Sequence, residues 1–148
     1  MEYRIVDVEQ RHIPQLVALE KACFSTPWTA EQLRGQFRDD LHEFIAAEAP
    51  DGTVLGYVGM TYVIDEGYIS NVAVSPEYRR QGIGDRLIEQ LVARANGLQL
   101  AFITLEVRRS NIPAIELYQK QGFSTVGMRK NYYDMPREDA ILMTKYLK

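Results

Sequence analysis

The segment Asn71–Leu87 reads N-V-A-V-S-P-E-Y-R-R-Q-G-I-G-D-R-L. A β-rich run, Tyr68–Val74, meets a turn signal at Ser75-Pro76. Arg79 and Arg80 follow, then Gly82-Ile83-Gly84, then a strongly periodic helix. Strand, glycine turn and helix start together make an anion site from backbone. The first N–H groups of a helix lack intrahelical partners and sit at the positive end of its dipole. Glycines without a Cβ let a phosphate approach them. Arginines add charge beside it. The segment therefore predicts a diphosphate-bearing ligand on this turn. On the glycines alone, a plain tight turn with solvent-facing arginines reads equally well. The spacing is not the dinucleotide fingerprint, since position 87 is Leu, and no Lys-Ser or Lys-Thr makes it a P-loop.

The rest of the chain places this turn in one domain, residues 1–148. That length suits a single core, and 46% hydrophobic with 25% charged residues is ordinary globular composition. The net charge of −3, without like-charge blocks, argues against direct nucleic-acid binding but not against a basic protein substrate. Cys23 is the one cysteine, so no internal disulfide forms, and it reads as a small buried hydrophobe. The opening Met-Glu-Tyr-Arg-Ile-Val is a strand pattern rather than a leader, and no apolar run approaches a membrane span. The expectation is a cytoplasmic protein, off the membrane, monomeric rather than oligomeric.

Along the chain, a first strand is expected over Glu2–Val8. A helix follows with Ile13, Leu16, Val17 and Leu19 on one face and Pro14 in its first turn. Phe24–Trp28 breaks it. Thr29 with Gln32 has capping-box spacing and starts a second helix, with Leu33 and Phe37 inward. Asp39-Asp40 turns the chain. Phe44–Ala47 and Val54–Ile64 form a hairpin about Pro50-Asp51-Gly52. Gly56 and Gly59 signal a bulge or a close backbone approach. Asp65-Glu66-Gly67 turns into Tyr68–Val74, antiparallel to its predecessor.

The helix after the glycines carries Ile83, Leu87, Ile88, Leu91, Val92 and Ala95, and Asn96-Gly97 ends it. Leu100–Val107 is apolar enough for a sheet centre, and a right-handed crossover makes it parallel to Tyr68–Val74. Ser110-Asn111 caps a further helix with Pro113 in its first turn, Ala114, Ile115, Leu117 and Tyr118 inward, and Gly122 at its end. Phe123–Met128 and Asp139–Tyr146 are the last strands, with Asn131–Pro136 as the loop between them. The outcome is an α+β domain with a mixed, centrally parallel sheet.

Arg79-Arg80-Gln81-Gly82-Ile83-Gly84 matches R/Q-x-x-G-x-G/A, the coenzyme A signature of the GCN5-related N-acetyltransferase (GNAT) family. Asn71–Tyr78 resembles the family's strand into that loop. Ser110-Asn111-x-x-Ala114-x-x-Leu117-Tyr118-x-x-x-Gly122-Phe123 resembles its second signature, and Asn131-Tyr132-Tyr133 its C-terminal loop. The order of elements matches along nearly the whole chain. Within the family, Pro27-Trp28, Leu105–Arg108 and Asn131–Tyr133 resemble the bacterial RimI-type ribosomal-protein alanine N-terminal acetyltransferases. The resemblance implies the GNAT fold: an α/β/α sandwich, with a seven-stranded mixed sheet, about four helices and two splayed central parallel strands. It implies acetyl-CoA as donor, no metal, and the N-terminus of a ribosomal protein as acceptor. Backbone groups of Val72, Ala73 and Val74 would pair with the pantetheine arm. Arg79 and the turn Arg80, Gln81, Gly82, Ile83, Gly84 and Asp85 would hold the pyrophosphate, and Asn111 and Tyr118 would also touch the cofactor.

Acetyl transfer needs a neutral amine, a polarised thioester carbonyl and a proton for the departing thiolate. Glu106 ends an apolar strand. It reads as a strand-end carboxylate or, by motif context, as the general base. Tyr118 reads as core or, as the signature tyrosine, as the general acid to the thiolate. It lies about 10 Å along its helix from Asn111, so Glu106 and Tyr118 can flank one reacting centre from opposite sides. Deprotonating an α-amino group at pH 7 costs about 1.4 kcal/mol, against about 4.6 for a lysine, which suits a single modest base. Trp28, Tyr132 and Tyr133 are the acceptor-binding candidates, with packing the favoured role for Trp28. His12 and His42 read as structural, because no metal-ligand spacing exists. The alternatives are a family member acting on lysine or a small-molecule amine, and a silent acetyl-CoA sensor.

Overall fold

The computed structural model describes residues 2–37 and 40–148. The β-rich runs become seven strands: β1 (Arg4–Asp7), β2 (His42–Glu48), β3 (Val54–Val63), β4 (Glu66–Val74), β5 (Phe102–Arg108), β6 (Ser124–Tyr133) and β7 (Glu138–Tyr146). The 3.6-periodic runs become helices α1 (Ile13–Cys23), α2 (Ala30–Gly35), α3 (Ile83–Gly97) and α4 (Ile112–Lys120). The strands form one sheet in the order β1-β2-β3-β4-β5-β7-β6. Every pairing is antiparallel except β4 with β5, which the α3 crossover makes parallel.

Two cores lie on the two faces. On one, Ile83, Leu87, Ile88, Leu91 and Ala95 of α3 and Tyr118 of α4 pack against Val58, Met60, Ile69, Ile103, Leu105 and Val107. On the other, Ile13, Leu16, Leu19 and Leu33 of α1 and α2 pack against Phe44, Tyr57 and Ala73. Each such aliphatic side chain contributes about 1.5–3 kcal/mol when fully buried. The capping box at Thr29–Gln32 starts α2: Thr29 Oγ1 accepts from the Gln32 N–H at 3.2 Å, and Gln32 Oε1 accepts from the Thr29 N–H at 2.9 Å.

The central irregularity is a bulge. Gly59 pairs with Asn71 and Met60 with Ile69, which leaves Ser70 as an extra residue on β4. A bulge shifts which side chains face which side. Ile69 therefore lies in the α3-side core and Ala73 in the α1-side core, although both have odd numbers. Gly59 is needed there, because a Cβ on it would overlap the Phe44 ring.

Several expected boundaries move. The first strand is shorter than Glu2–Val8. The β3–β4 turn centres on Ile64, at φ +58°, and Glu66 and Gly67 already belong to β4. Gly97 is the last residue of α3, as expected, but the left-handed residue is Gln99 at φ +62° rather than Asn96 or Gly97. Leu100 and Ala101 precede β5 rather than open it, because Ala101 is tied back to the Asp65 carbonyl. Asn131, Tyr132 and Tyr133 belong to β6, not to a loop: Asn131 takes φ +51° and the strand resumes pairing at Tyr133–Glu138. Of the turn expected at Asp39-Asp40, Asp39 lies outside the described residues.

Candidate active site

Parallel pairing between β4 and β5 covers only Glu66–Phe102, Gly67–Ile103 and Tyr68–Thr104. It ends where the Ser70 bulge bends β4. Beyond that rung, Val72, Ala73 and Val74 pair with β3 on one side and have no strand partner on the other. An unpaired strand edge presents backbone N–H and C=O groups that an extended ligand arm can satisfy. The splay expected between the two strands is present.

At the end of β4 the chain makes a 3-10 turn over Pro76–Tyr78 and enters α3 through two left-handed residues, Arg80 at φ +63° and Gly82 at φ +80°. No side chain caps α3, and the first backbone bond at this end runs from the Arg86 N–H to Gly82 at 3.1 Å. The Ile83, Gly84 and Asp85 N–H groups precede it and are available to an anion. The two glycines have different tasks. Gly82 supplies the left-handed backbone, and a Cβ there would meet nothing within 4 Å. A Cβ on Gly84 would sit 3.3 Å from Leu117 and 3.8 Å from Val74. Gly84 thus serves the packing of α3 on α4 and β4.

The flanking polar residues are largely committed to the scaffold. Arg79 Nε donates to the Val74 carbonyl at 3.1 Å, and its Nη2 lies 3.4 Å from Cys23 Sγ. Asp85 accepts from Gln121 Nε2 at 3.0 Å, joining α3 to α4. Asn111 Oδ1 caps α4 by accepting from the Ala114 N–H at 3.3 Å.

Glu106 projects from the β5 face opposite Leu105 and Val107, which belong to the α3-side core. Its side chain is only 7% exposed, yet it is paired: Arg129 Nε lies 2.9 Å from Oε2. The Tyr68 hydroxyl donates to Oε1. Burial first, and Glu106 second, push the Tyr68 phenol well above its ordinary value, so it stays protonated and donating.

Tyr118 reaches toward β5 from the other face, buried against Phe123 with ring centroids 5.9 Å apart. Its hydroxyl has no hydrogen-bond partner among the described residues. Burial, followed by Tyr133, pushes its phenol well up. Tyr133 is held up at about 12 by burial first, with Tyr132 next and Glu106 after it. Tyr133 thus interacts electrostatically with both Glu106 and Tyr118. Arg108 stacks on Tyr133 with its guanidinium carbon 4.5 Å from the ring centroid, and it binds the Asp134 and Pro136 carbonyls at 2.9 Å and Glu138 at 3.2 Å. Tyr132 packs edge-on against Tyr133, 5.0 Å between centroids.

Trp28 is apart from this cluster. It packs on the α1-side core, and its backbone N–H donates at 2.8 Å to Glu20, a carboxylate only 1% exposed that also takes the Tyr57 hydroxyl at 2.6 Å. His12 is likewise structural, joined to Glu48 at 2.8 Å, and His42 packs edge-on against Phe37.

The structure thus puts Tyr133 within electrostatic reach of both Glu106 and Tyr118, with Tyr132 packed on it; the Val72–Val74 edge and the amide turn follow Tyr68 along β4 and into α3. Sequence reasoning missed Tyr68 and Arg129. Both stand at outward positions of β-period runs. Only the register of β4 on β5, and the order β5-β7-β6, brings them to Glu106.

The model of the acetyltransferase (GNAT) family matches residues 13–123. A ribosomal protein bS18-alanine N-acetyltransferase of Escherichia coli is 33% identical over 141 residues, covering 94% of each chain. One of Haemophilus influenzae is 31% identical over 146 residues, 97% of this chain and 98% of its own. The crystal structure of the ribosomal-protein alanine N-acetyltransferase from Escherichia coli superposes with a TM-score of 0.92 at 30% identity, over 99% of this chain and 95% of that one. Ard1 from Thermoplasma volcanium shares the fold, with a TM-score of 0.92 at 23% identity over 100% and 99% of the two chains.

Proposed function

The chain belongs to the acetyltransferase (GNAT) family, and on that premise we propose that it moves acetyl from acetyl-CoA to the N-terminal α-amino group of a protein. The acceptor proposed is the N-terminal alanine of ribosomal protein bS18, the substrate named for its relatives. One observation above others supports the reading. Pairing of β4 with β5 stops at Tyr68–Thr104, and beyond it Glu106 and Tyr118 come to β5 from opposite faces of the sheet.

The residues present fit acetyl-CoA. The uncapped N–H groups of Ile83, Gly84 and Asp85 suit a pyrophosphate, and the edge of Val72, Ala73 and Val74 that no strand covers suits the amides of a pantetheine arm, with the Val74 carbonyl already taken by Arg79 Nε. Arg80, Gln81 and Asn111 border that path, and Arg79 holds its floor through Val74. Bound acetyl-CoA supplies a thioester carbonyl activated toward an amine.

Glu106 takes one proton of the α-ammonium, directly or through a water, which frees the nitrogen lone pair to attack the thioester carbonyl; the nitrogen sheds a second proton to solvent as the C–S bond breaks and the amide forms. The Tyr68 hydroxyl holds the Glu106 carboxylate in place as a donor, since the phenol does not give up its own proton near neutral pH. Tyr118, neutral and unpartnered, gives its proton to the departing thiolate and is reprotonated from solvent. Tyr132 and Tyr133 line the acceptor side and orient the peptide backbone.

The test is thiol release from acetyl-CoA with four acceptors: an alanine-starting peptide, the same peptide N-blocked but containing lysine, a polyamine, and none. Release with the free N-terminus alone is the expected result. Release with the blocked peptide or the polyamine would move the assignment to lysine or small amines. Binding of acetyl-CoA without turnover on any acceptor would make the chain a sensor.

A further inference from the structure

Two arginines stand on the Glu106 face, in very different settings. Arg108 is 24% exposed, stacked on Tyr133, and bound by two carbonyls and Glu138. Its fork is satisfied, and it holds the β6–β7 turn in place. Arg129 is 55% exposed and comes from the outer strand β6, across β7, to Glu106. Among the described residues its one ionic partner is Glu106, and its guanidinium lies 5.9 Å from the Tyr132 ring centroid. The other groups facing Glu106 are Tyr68 on β4, and Tyr132 and Tyr133 on β6. None is cationic near neutral pH, so Arg129 is the carboxylate's countercharge.

A carboxylate this buried is strongly disfavoured without a positive partner. The acceptor also arrives as a cation, and its ammonium has to reach a Glu106 oxygen to be deprotonated. Oε1 holds the Tyr68 hydroxyl and Oε2 holds Arg129. Replacing the guanidinium by the ammonium keeps the carboxylate paired. Retaining both would place two cations on one acid. Arginine is suited to the resting role because it never loses its proton to the base, and its half-exposed position lets it swing into solvent.

We propose that Arg129 is a displaceable resident counter-ion of Glu106, exchanged for the acceptor's α-ammonium when the peptide binds. Arg129 is thereby a positioning and selectivity residue. It occupies Glu106 Oε2 in the free enzyme, and an acceptor without a charged terminus gains nothing from the site. The proposal rests on the acceptor reading above.

It is tested by binding without chemistry. Calorimetry on the CoA-saturated protein compares an alanine-starting peptide with its desamino analogue, in which hydrogen replaces the amine. Arg129→Met is expected to bind the free-amine peptide about tenfold tighter than wild type, because no resident cation has to leave. The desamino peptide is expected to bind within twofold of wild type, and Arg129→Lys to behave as wild type with both. Equal or weaker binding of the free-amine peptide by Arg129→Met overturns the exchange. A Glu106→Gln enzyme of full activity would overturn the base assignment alone, because the binding comparison does not depend on proton transfer.

Discussion

The Tyr68 hydroxyl donates to Glu106 Oε1 just past Tyr68–Thr104, the last rung that joins β4 to β5. The hydrogen bond spans the two strands where their backbones part. It ties the carboxylate to the rigid end of the gap rather than to a loop, and that makes the pair a sensitive place to probe.

Glu106→Gln should lower kcat by about 10²–10⁴, the usual contribution of a positioned base. Tyr68→Phe should lower it less, because the carboxylate keeps its position through Arg129 but loses the hydroxyl that fixes Oε1. A Tyr68→Phe enzyme with the wild-type kcat would remove Tyr68 from the mechanism.

Tyr118→Phe should cut kcat about 10²-fold and leave acetyl-CoA affinity within a few-fold, since the ring and its packing on Phe123 survive. Burial raises the Tyr118 phenol above its ordinary value, so the proton stays on as pH rises through 10. An alkaline limb observed between about pH 8 and 10 therefore belongs to another group. If that limb disappeared in Tyr118→Phe, the assignment would be wrong.

Gly82→Ala and Gly84→Ala should fail differently. Alanine at position 82 must hold a left-handed backbone, at a cost of about 1 kcal/mol, but meets no neighbour. Acetyl-CoA affinity should fall there, with the melting temperature lower by about 2–4 °C. Alanine at position 84 presses on Leu117. Trimming that neighbour with Leu117→Val should recover part of the lost melting temperature in the double variant. Isothermal titration and thermal melts of the single and double variants separate the two cases.

The Arg11 guanidinium, followed by His12, holds Glu48 at about 2, below its ordinary 4.5. A depressed carboxylate stabilises the fold above its unfolded value and loses that contribution as pH falls through the folded one. Wild type should thus lose stability between about pH 4.5 and 2 more steeply than Glu48→Gln. Parallel urea titrations across that window would refute the pairing if the two slopes were equal.

Local signals carried much of the scaffold. The stripe Ile83, Leu87, Ile88, Leu91 and Ala95 marks α3 without any neighbour, because helical period is a property of the chain alone. The Thr29–Gln32 capping box, Pro113 in the first turn of α4 and the left-handed Gly122 are likewise local chemistry, and each is present. Asn96-Gly97 does mark the end of α3, although the left-handed backbone falls at Gln99. Other boundaries fared worse. Asn131–Pro136 looked like a loop, yet β7 gives Tyr133 a strand partner in Glu138.

For the site, the amide turn and the candidacy of Glu106, Tyr118, Tyr132 and Tyr133 were legible because each sits in a short motif with its own spacing. The partners of Glu106 were not. Tyr68 lies 38 residues away in sequence from Glu106, and Arg129 joins it only because β7 inserts between β5 and β6. The sequence by itself determined which segments are helix and strand, the crossover that makes two central strands parallel, and the residue types needed for acyl transfer. Tertiary structure alone decided where those strands part, that Gly84 serves packing, and which cation neutralises the buried carboxylate. Periodicity and capping act within a few residues, whereas strand register, bulges and charge pairing are settled by segments that meet only when the sheet closes.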